Sequence, residues 1–183
     1  MELLERLREI HEADWKPVST PALAGSVVVV LIIVWLGNTG QRWVWILDSA
    51  NLAFHEAGHP LFGLFSSRLM VYGGTLGQLV FPIAATVSFW ARREAVSFAL
   101  AAVWIAENLW NIARYMADAR AQELPLVGGG EHDWTEILSR WGALQQDTAI
   151  AGFVRLTGWV GVVVAFGWLL HRWWADRESG AVD

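Results

Sequence analysis

The chain has 183 residues, of which 55% are hydrophobic and 17% charged, with 13 tryptophans, no cysteine and a formal charge of −5. Soluble domains carry nearer a quarter charged residues, and tryptophan concentrates at membrane–water interfaces, so the composition points to an integral membrane protein. The acidic balance excludes nucleic acid as a partner. The absence of cysteine excludes disulfides and thiolate metal sites, so any bound metal must rely on histidine and carboxylate.

Residues 1–20 read as an amphipathic segment lying at the membrane interface. Leu3, Leu4, Leu7 and Ile10 form one stripe among charged neighbours. This segment does not read as a cleavable signal peptide, because no basic cap precedes an apolar run. Residues 21–37 form the first apolar span, with residues 27–35 uninterrupted by any polar side chain. Further spans are expected over residues 43–65, 75–90 (interrupted by Pro82), 95–116 and 153–174. Residues 122–147 form a polar segment with glycines at 128–130. Residues 175–183 read as a flexible tail. The expectation is an all-α membrane protein of five transmembrane helices. It has one polytopic domain over residues 21–174 and a catalytic core over about residues 43–134. Lysine and arginine divide almost evenly between the two sides, so orientation stays open. The segments contain no internal repeat, and the reading places the chain as a multi-pass protein of a prokaryotic plasma (inner) membrane.

The second span contains His55-Glu56-Ala57-Gly58-His59, an HExxH pattern. Residues four apart share a helix face, so both imidazoles can reach one metal ion. Glu56 then stands where it can take a proton from an attacking water. Ionisable groups inside an apolar span are read as functional by default. Asp48, Asn51, His55 and His59 share one face of this helix. On the fourth span, Glu107, Asn111, Tyr115 and Asp118 recur at the same spacing, with Asn108 beside them. Away from water such groups need partners inside the protein, so the two stripes are expected to face each other.

A zinc site needs a third protein ligand and an open position. His132 ranks first, because the glycines before it would let its loop fold back, and Asp118 ranks second. Asp133 could serve as a ligand or orient one. Asn111, Tyr115 and His132 are the expected donors to a developing oxyanion. Gly73 and Gly74 suggest an irregular or strand-like edge after the HExxH helix, able to hold a peptide substrate in extended form.

These residues resemble the site-2-protease class of intramembrane zinc metallopeptidases. The resemblance rests on His55, Glu56 and His59, with Asn111 followed by Asp118 similar to the later family segment. It covers at most residues 43–120. The resemblance implies two histidine ligands, Glu56 as base, Asp118 as third ligand and Gly73-Gly74 as the family's strand-like loop. The family's Asn-Pro…Asp-Gly signature is missing, since Ala119 follows Asp118 and no proline separates it from Asn111. The functional expectation is a membrane-embedded metalloprotease with one zinc ion, acting on membrane proteins or peptides at the lipid bilayer. The rival expectation is a membrane metal-binding or ion-transport protein without hydrolytic activity. The oligomeric state is open.

Overall fold

The computed structural model describes residues 2–127 and 130–181 and is helical throughout, with no strand among the described residues. Among the described residues seven α-helices follow one another: α1 (Glu2–Glu12), α2 (Thr20–Asn38), α3 (Trp45–Gly63), α4 (Ser67–Ala91), α5 (Ala95–Ala117), α6 (Asp133–Arg140) and α7 (Asp147–Glu178). Local sequence sets their boundaries. Ser19 and Pro21 start α2, the serine hydroxyl accepting from Ala22 N–H. Ser66 starts α4 by accepting from Leu69 N–H. His132 starts α6, its side chain accepting from Thr135 N–H.

Helices α2, α4, α5 and the last one, with the turn preceding it (Leu144–Glu178), are long and apolar enough to cross a membrane. The expected span over residues 43–65 is the exception. It forms the 19-residue helix α3, but α3 is not among these four. Asp48, Asn51, His55, Glu56 and His59 crowd polar atoms into its length. The outward faces of α2, α4 and α7 carry exposed Val28, Leu31, Ile32, Val87, Val163 and Val164, while α5 lies inside them. In water that much contiguous apolar surface is rare on a monomer; against lipid it is unexceptional.

Contacts at the helix ends explain where α3 runs. At one end of the bundle, Val18, Leu23, Ala95, Ala99 and Leu169 pack together. Lys16 N–H there donates to the Arg93 carbonyl in the α4–α5 turn at 2.8 Å. The start of α2, the end of α4, the start of α5 and the end of α7 therefore meet at this terminal end. At the opposite end α2 closes with Gly37 against Trp110, and Asn38 accepts from Arg155 near the start of α7. Helix α4 starts at that end too, where Tyr72 accepts from Trp141 Nε1 at 3.0 Å. Helix α3 leaves the end of α2 and delivers the chain to the start of α4. It thus begins and finishes at one end of the bundle, and α2, α4, α5 and α7 alternate in direction.

Two further clusters fill the interior. One joins α2, α5 and α7 through Val30, Ile33, Val103, Ala106, Trp110 and Val162. The other lies at the opposite end, where Ile112, Met116, Trp134, Ile137, Leu138 and Ala151 anchor α6. Helix α7 runs to Glu178, into residues 175–183, the expected flexible tail. Asp176 is buried there, accepting from Val18 N–H at 2.9 Å and from Arg172 at 2.7 Å.

Candidate metal centre

The pairing of α3 with α4 creates the site. A Cβ on Gly58 would lie 2.1 Å from the Gly73 carbonyl oxygen, and one on Gly77 would lie 2.5 Å from the Phe54 carbonyl oxygen. Only hydrogen at these positions lets the two backbones approach so closely. The strand-like edge expected at Gly73-Gly74 is therefore absent: both lie inside α4. Their role is to let α3 settle on α4. A Cβ at Gly74 would sit 2.5 Å from His55 Nε2 and 2.8 Å from His59 Cε1, so Gly74 forms the floor under both imidazoles.

The two rings lie edge to face, with centroids 4.9 Å apart. Each has its Nδ1 tied. His55 Nδ1 lies 3.1 Å from Gln78 Oε1, and His59 Nδ1 lies 2.9 Å from the Met70 carbonyl oxygen. Both partners are oxygen acceptors, which assigns Nδ1–H as the donor on each ring. Each Nε2 then points inward, the tautomer a metal-binding histidine takes when its other nitrogen is anchored. Gln78 lies one helical turn beyond Gly74, so one face of α4 supplies both the floor and the anchor.

Asp133 completes the triangle. Its Oδ2 lies 2.9 Å from His55 Nε2 and 3.3 Å from His59 Nε2. One atom from each of the three side chains falls within 4.8 Å of the others, so the group could hold a metal ion. Burial works against ionising Asp133, but the two imidazoles outweigh it and hold its carboxyl below the usual carboxylate range.

His132 and Asp118, ranked first and second as third ligand, do not join the histidines. His132 Nδ1 is used as the α6 cap, and its Nε2 lies 3.4 Å from Asp118 Oδ2 without hydrogen-bond geometry. Burial pushes the His132 imidazole below its ordinary range. Asp118 accepts from Glu123 N–H at 2.9 Å and Leu124 N–H at 3.1 Å. The pair closes the base of the loop between α5 and α6. It thereby holds Asp133, the next residue, over the imidazoles. Thr135 Oγ1 donates to the Ala119 carbonyl and adds a second tie.

Helix α5 supplies the remaining wall, and the two polar stripes face each other as the spacing implied. Asn111 Nδ2 donates to Asp48 Oδ1 at 2.7 Å, and Asn51 Nδ2 to Glu107 Oε2 at 3.2 Å. Trp104 Nε1 donates to Asn51 Oδ1 at 2.9 Å. Pro82 has no N–H to give the carbonyl four residues earlier, which belongs to Gln78. Asn108 Nδ2 donates to that freed oxygen at 2.7 Å. The proline thus ties the Gln78 backbone to α5 while the Gln78 side chain anchors His55.

Tyr115 stands beside His55, ring centroids 5.8 Å apart, and its oxygen accepts from Asp133 N–H at 3.2 Å. That contact uses an oxygen lone pair and leaves the phenolic proton free to donate. Asn111 has an N–H directed at Asp48, which makes it the less available donor. Glu56 is half-buried and lines two adjoining cavities of about 590 and 260 Å³. His55, Tyr115, Leu126 and Val127 line both as well. The sequence pattern points to no role for Gln78 or the Met70 carbonyl and to a substrate edge at Gly74; the spacing Gly73-x-x-x-Gly77 is the available signal for close helix packing.

Comparison with protein-family models, with curated proteins and with solved structures finds no match for this chain.

Proposed function

We propose that this chain is a membrane-embedded zinc metallopeptidase that hydrolyses peptide bonds near the membrane surface. The observation that carries the reading is the convergence of His55 Nε2, His59 Nε2 and Asp133 Oδ2, with Glu56 lining the same space. Two imidazoles with anchored Nδ1 atoms and one carboxylate form a donor set suited to zinc, and three protein ligands leave a position open for chemistry. Zinc held by these residues supplies Lewis acidity, which makes water acidic near neutral pH and polarises a peptide carbonyl.

The protein's own groups do the rest. Glu56 is placed to take a proton from the attacking water and to return it to the leaving amine. Tyr115, with its hydroxyl proton uncommitted, is placed to donate to the oxygen of the tetrahedral species. Gly74 and Gln78 hold the rings so that neither step waits on a rotamer change. Because α3 starts and finishes at one end of the bundle, the reading puts the reaction near that membrane face, where water is at hand.

The rival reading, an ion carrier, draws less support from the buried polar groups, which do not extend along the whole bundle. The buried polar chain ends near Glu107. Toward the terminal end α5 buries Val103, Ala101, Ala99 and Ala95 instead.

The test is Glu56→Gln assayed with zinc loaded. The variant is expected to retain one zinc per chain while peptide cleavage falls by a factor of about 100 to 10,000, the range typical of general-base loss. Unchanged turnover would remove Glu56 from that role.

A further inference from the structure

The larger cavity contains a cation that the proposed hydrolysis does not use. Arg114 lines its wall together with Gln41 and Trp43, while His55 and Glu56 line the same space. Among the described residues, no hydrogen bond or ion pair engages its guanidinium. Asp48 is the carboxylate whose field it feels, and that group is already occupied by Val44 N–H and Asn111 Nδ2. Half of the other lining residues are apolar: Trp43, Leu52, Leu124, Pro125, Leu126 and Val127, the last four in one run of chain, with Gln78 and Asn111 among the polar ones. An arginine presents a planar set of five donors matched to a carboxylate, and leaving it unpaired in a partly enclosed apolar space is unfavourable.

The cavity therefore combines three properties on one surface: apolar walls, one uncommitted guanidinium, and the proposed reaction centre. Arg114 immediately precedes Tyr115 on α5, so the cation sits next to the proposed oxyanion donor. From this we propose that Arg114 is a specificity residue that holds a carboxylate of the peptide, the rest of the bound segment being apolar. The proposal rests on the peptidase reading and names the chemistry that reading would select. The carboxylate has two sources, the free C-terminus of a peptide or an acidic side chain within one. A lipid phosphate would satisfy the same guanidinium, but it would not place an amide beside Glu56.

The test measures binding without turnover, so that it fails separately from the catalytic reading. The protein is the full chain carrying Glu56→Gln in detergent micelles, with and without added zinc. The probes are Leu-Leu-Leu as free acid, the same peptide as C-terminal amide, and Leu-Glu-Leu amide, each carrying an uncharged dansyl label, followed by anisotropy. The expected result is that at least one carboxylate-bearing peptide binds about tenfold or more tightly than the neutral amide, as a charge-assisted contact implies. Whichever carboxylate peptide is preferred identifies the source. The preference should collapse when Arg114→Gln is added and return in part with Arg114→Lys, with zinc stoichiometry unchanged throughout. Equal binding of charged and neutral peptides would overturn the proposal. So would a carboxylate preference that survives Arg114→Gln, or displacement of the peptides by phosphatidylglycerol micelles in preference to carboxylates. If zinc fails to bind while the Arg114-dependent preference remains, the peptidase reading falls and the anion site stands.

Discussion

The two ends of this bundle both bury charged groups, and they do so in opposite ways. At the terminal end Asp176 is closed in by Val18 N–H and Arg172, and both of its oxygens are engaged within the protein. At the other end the Nε2 atoms of His55 and His59 and an oxygen of Asp133 point at one another's neighbourhood, beside a cavity that Glu56 also lines. The first arrangement ties α7 to the segment before α2. The second leaves bonding capacity aimed at a common point. Burial alone does not mark a functional site; convergence of donors toward shared space does.

The contrast can be broken at either end. The largest effect is expected from Gly74→Ala. A methyl there would contact both imidazoles at 2.5 and 2.8 Å, so one ring must leave its anchored position. Zinc affinity should fall by a factor of 100 or more by isothermal titration, roughly the loss of one ligand's geometry. The helix content by circular dichroism should stay the same, since alanine favours a helix. Next comes Asp176→Ala, which strips Val18 N–H and Arg172 of a buried acceptor. Thermal unfolding in detergent should show a loss of about 2–4 kcal/mol, with zinc binding unaltered. The smallest effect belongs to Asn108→Ala. It frees the Gln78 carbonyl that Pro82 leaves without a helical donor, at a cost of about 1–3 kcal/mol. A modest drop in zinc affinity should accompany it, because Gln78 also anchors His55.

Much of this layout could be read from residue order. The HExxH pair and the stripe from Asp48 to His59 follow from helical periodicity, and so does the facing stripe on α5. Four of the five expected spans lie in helices with the length and apolarity to cross a membrane. The fifth, over residues 43–65, forms α3, which is not among those four because Asp48, Asn51, His55, Glu56 and His59 lower its apolarity; α3 joins two helix ends on one side of the bundle. The glycines misled for a different reason. Gly73-Gly74 weakens helix propensity locally, yet tertiary contact with Gly58 outweighs that weakness and keeps α4 helical.

The third member of the candidate metal group was hidden by adjacency. Asp118, His132 and Asp133 all carry suitable chemistry, and periodicity does not say which one a loop turns toward the histidines. A capping argument could have narrowed the choice. His132 precedes Asp133-Trp134-Thr135-Glu136, a sequence suited to the first turn of a helix, so its ring is needed at the cap. That leaves Asp133 as the residue free to turn inward.

The central claim is that His55, His59 and Asp133, and not Asp118 or His132, bind one zinc ion. Metal content by mass spectrometry and zinc X-ray absorption on purified Asp133→Asn, Asp118→Asn and His132→Gln proteins test it most directly. The account predicts one zinc per chain in the parent, bound by two imidazoles and a carboxylate. Asp133→Asn should lose that zinc, while the other two variants keep the same coordination with weakened affinity. Full zinc occupancy in Asp133→Asn, together with loss of a ligand from the spectrum of Asp118→Asn or His132→Gln, would contradict it.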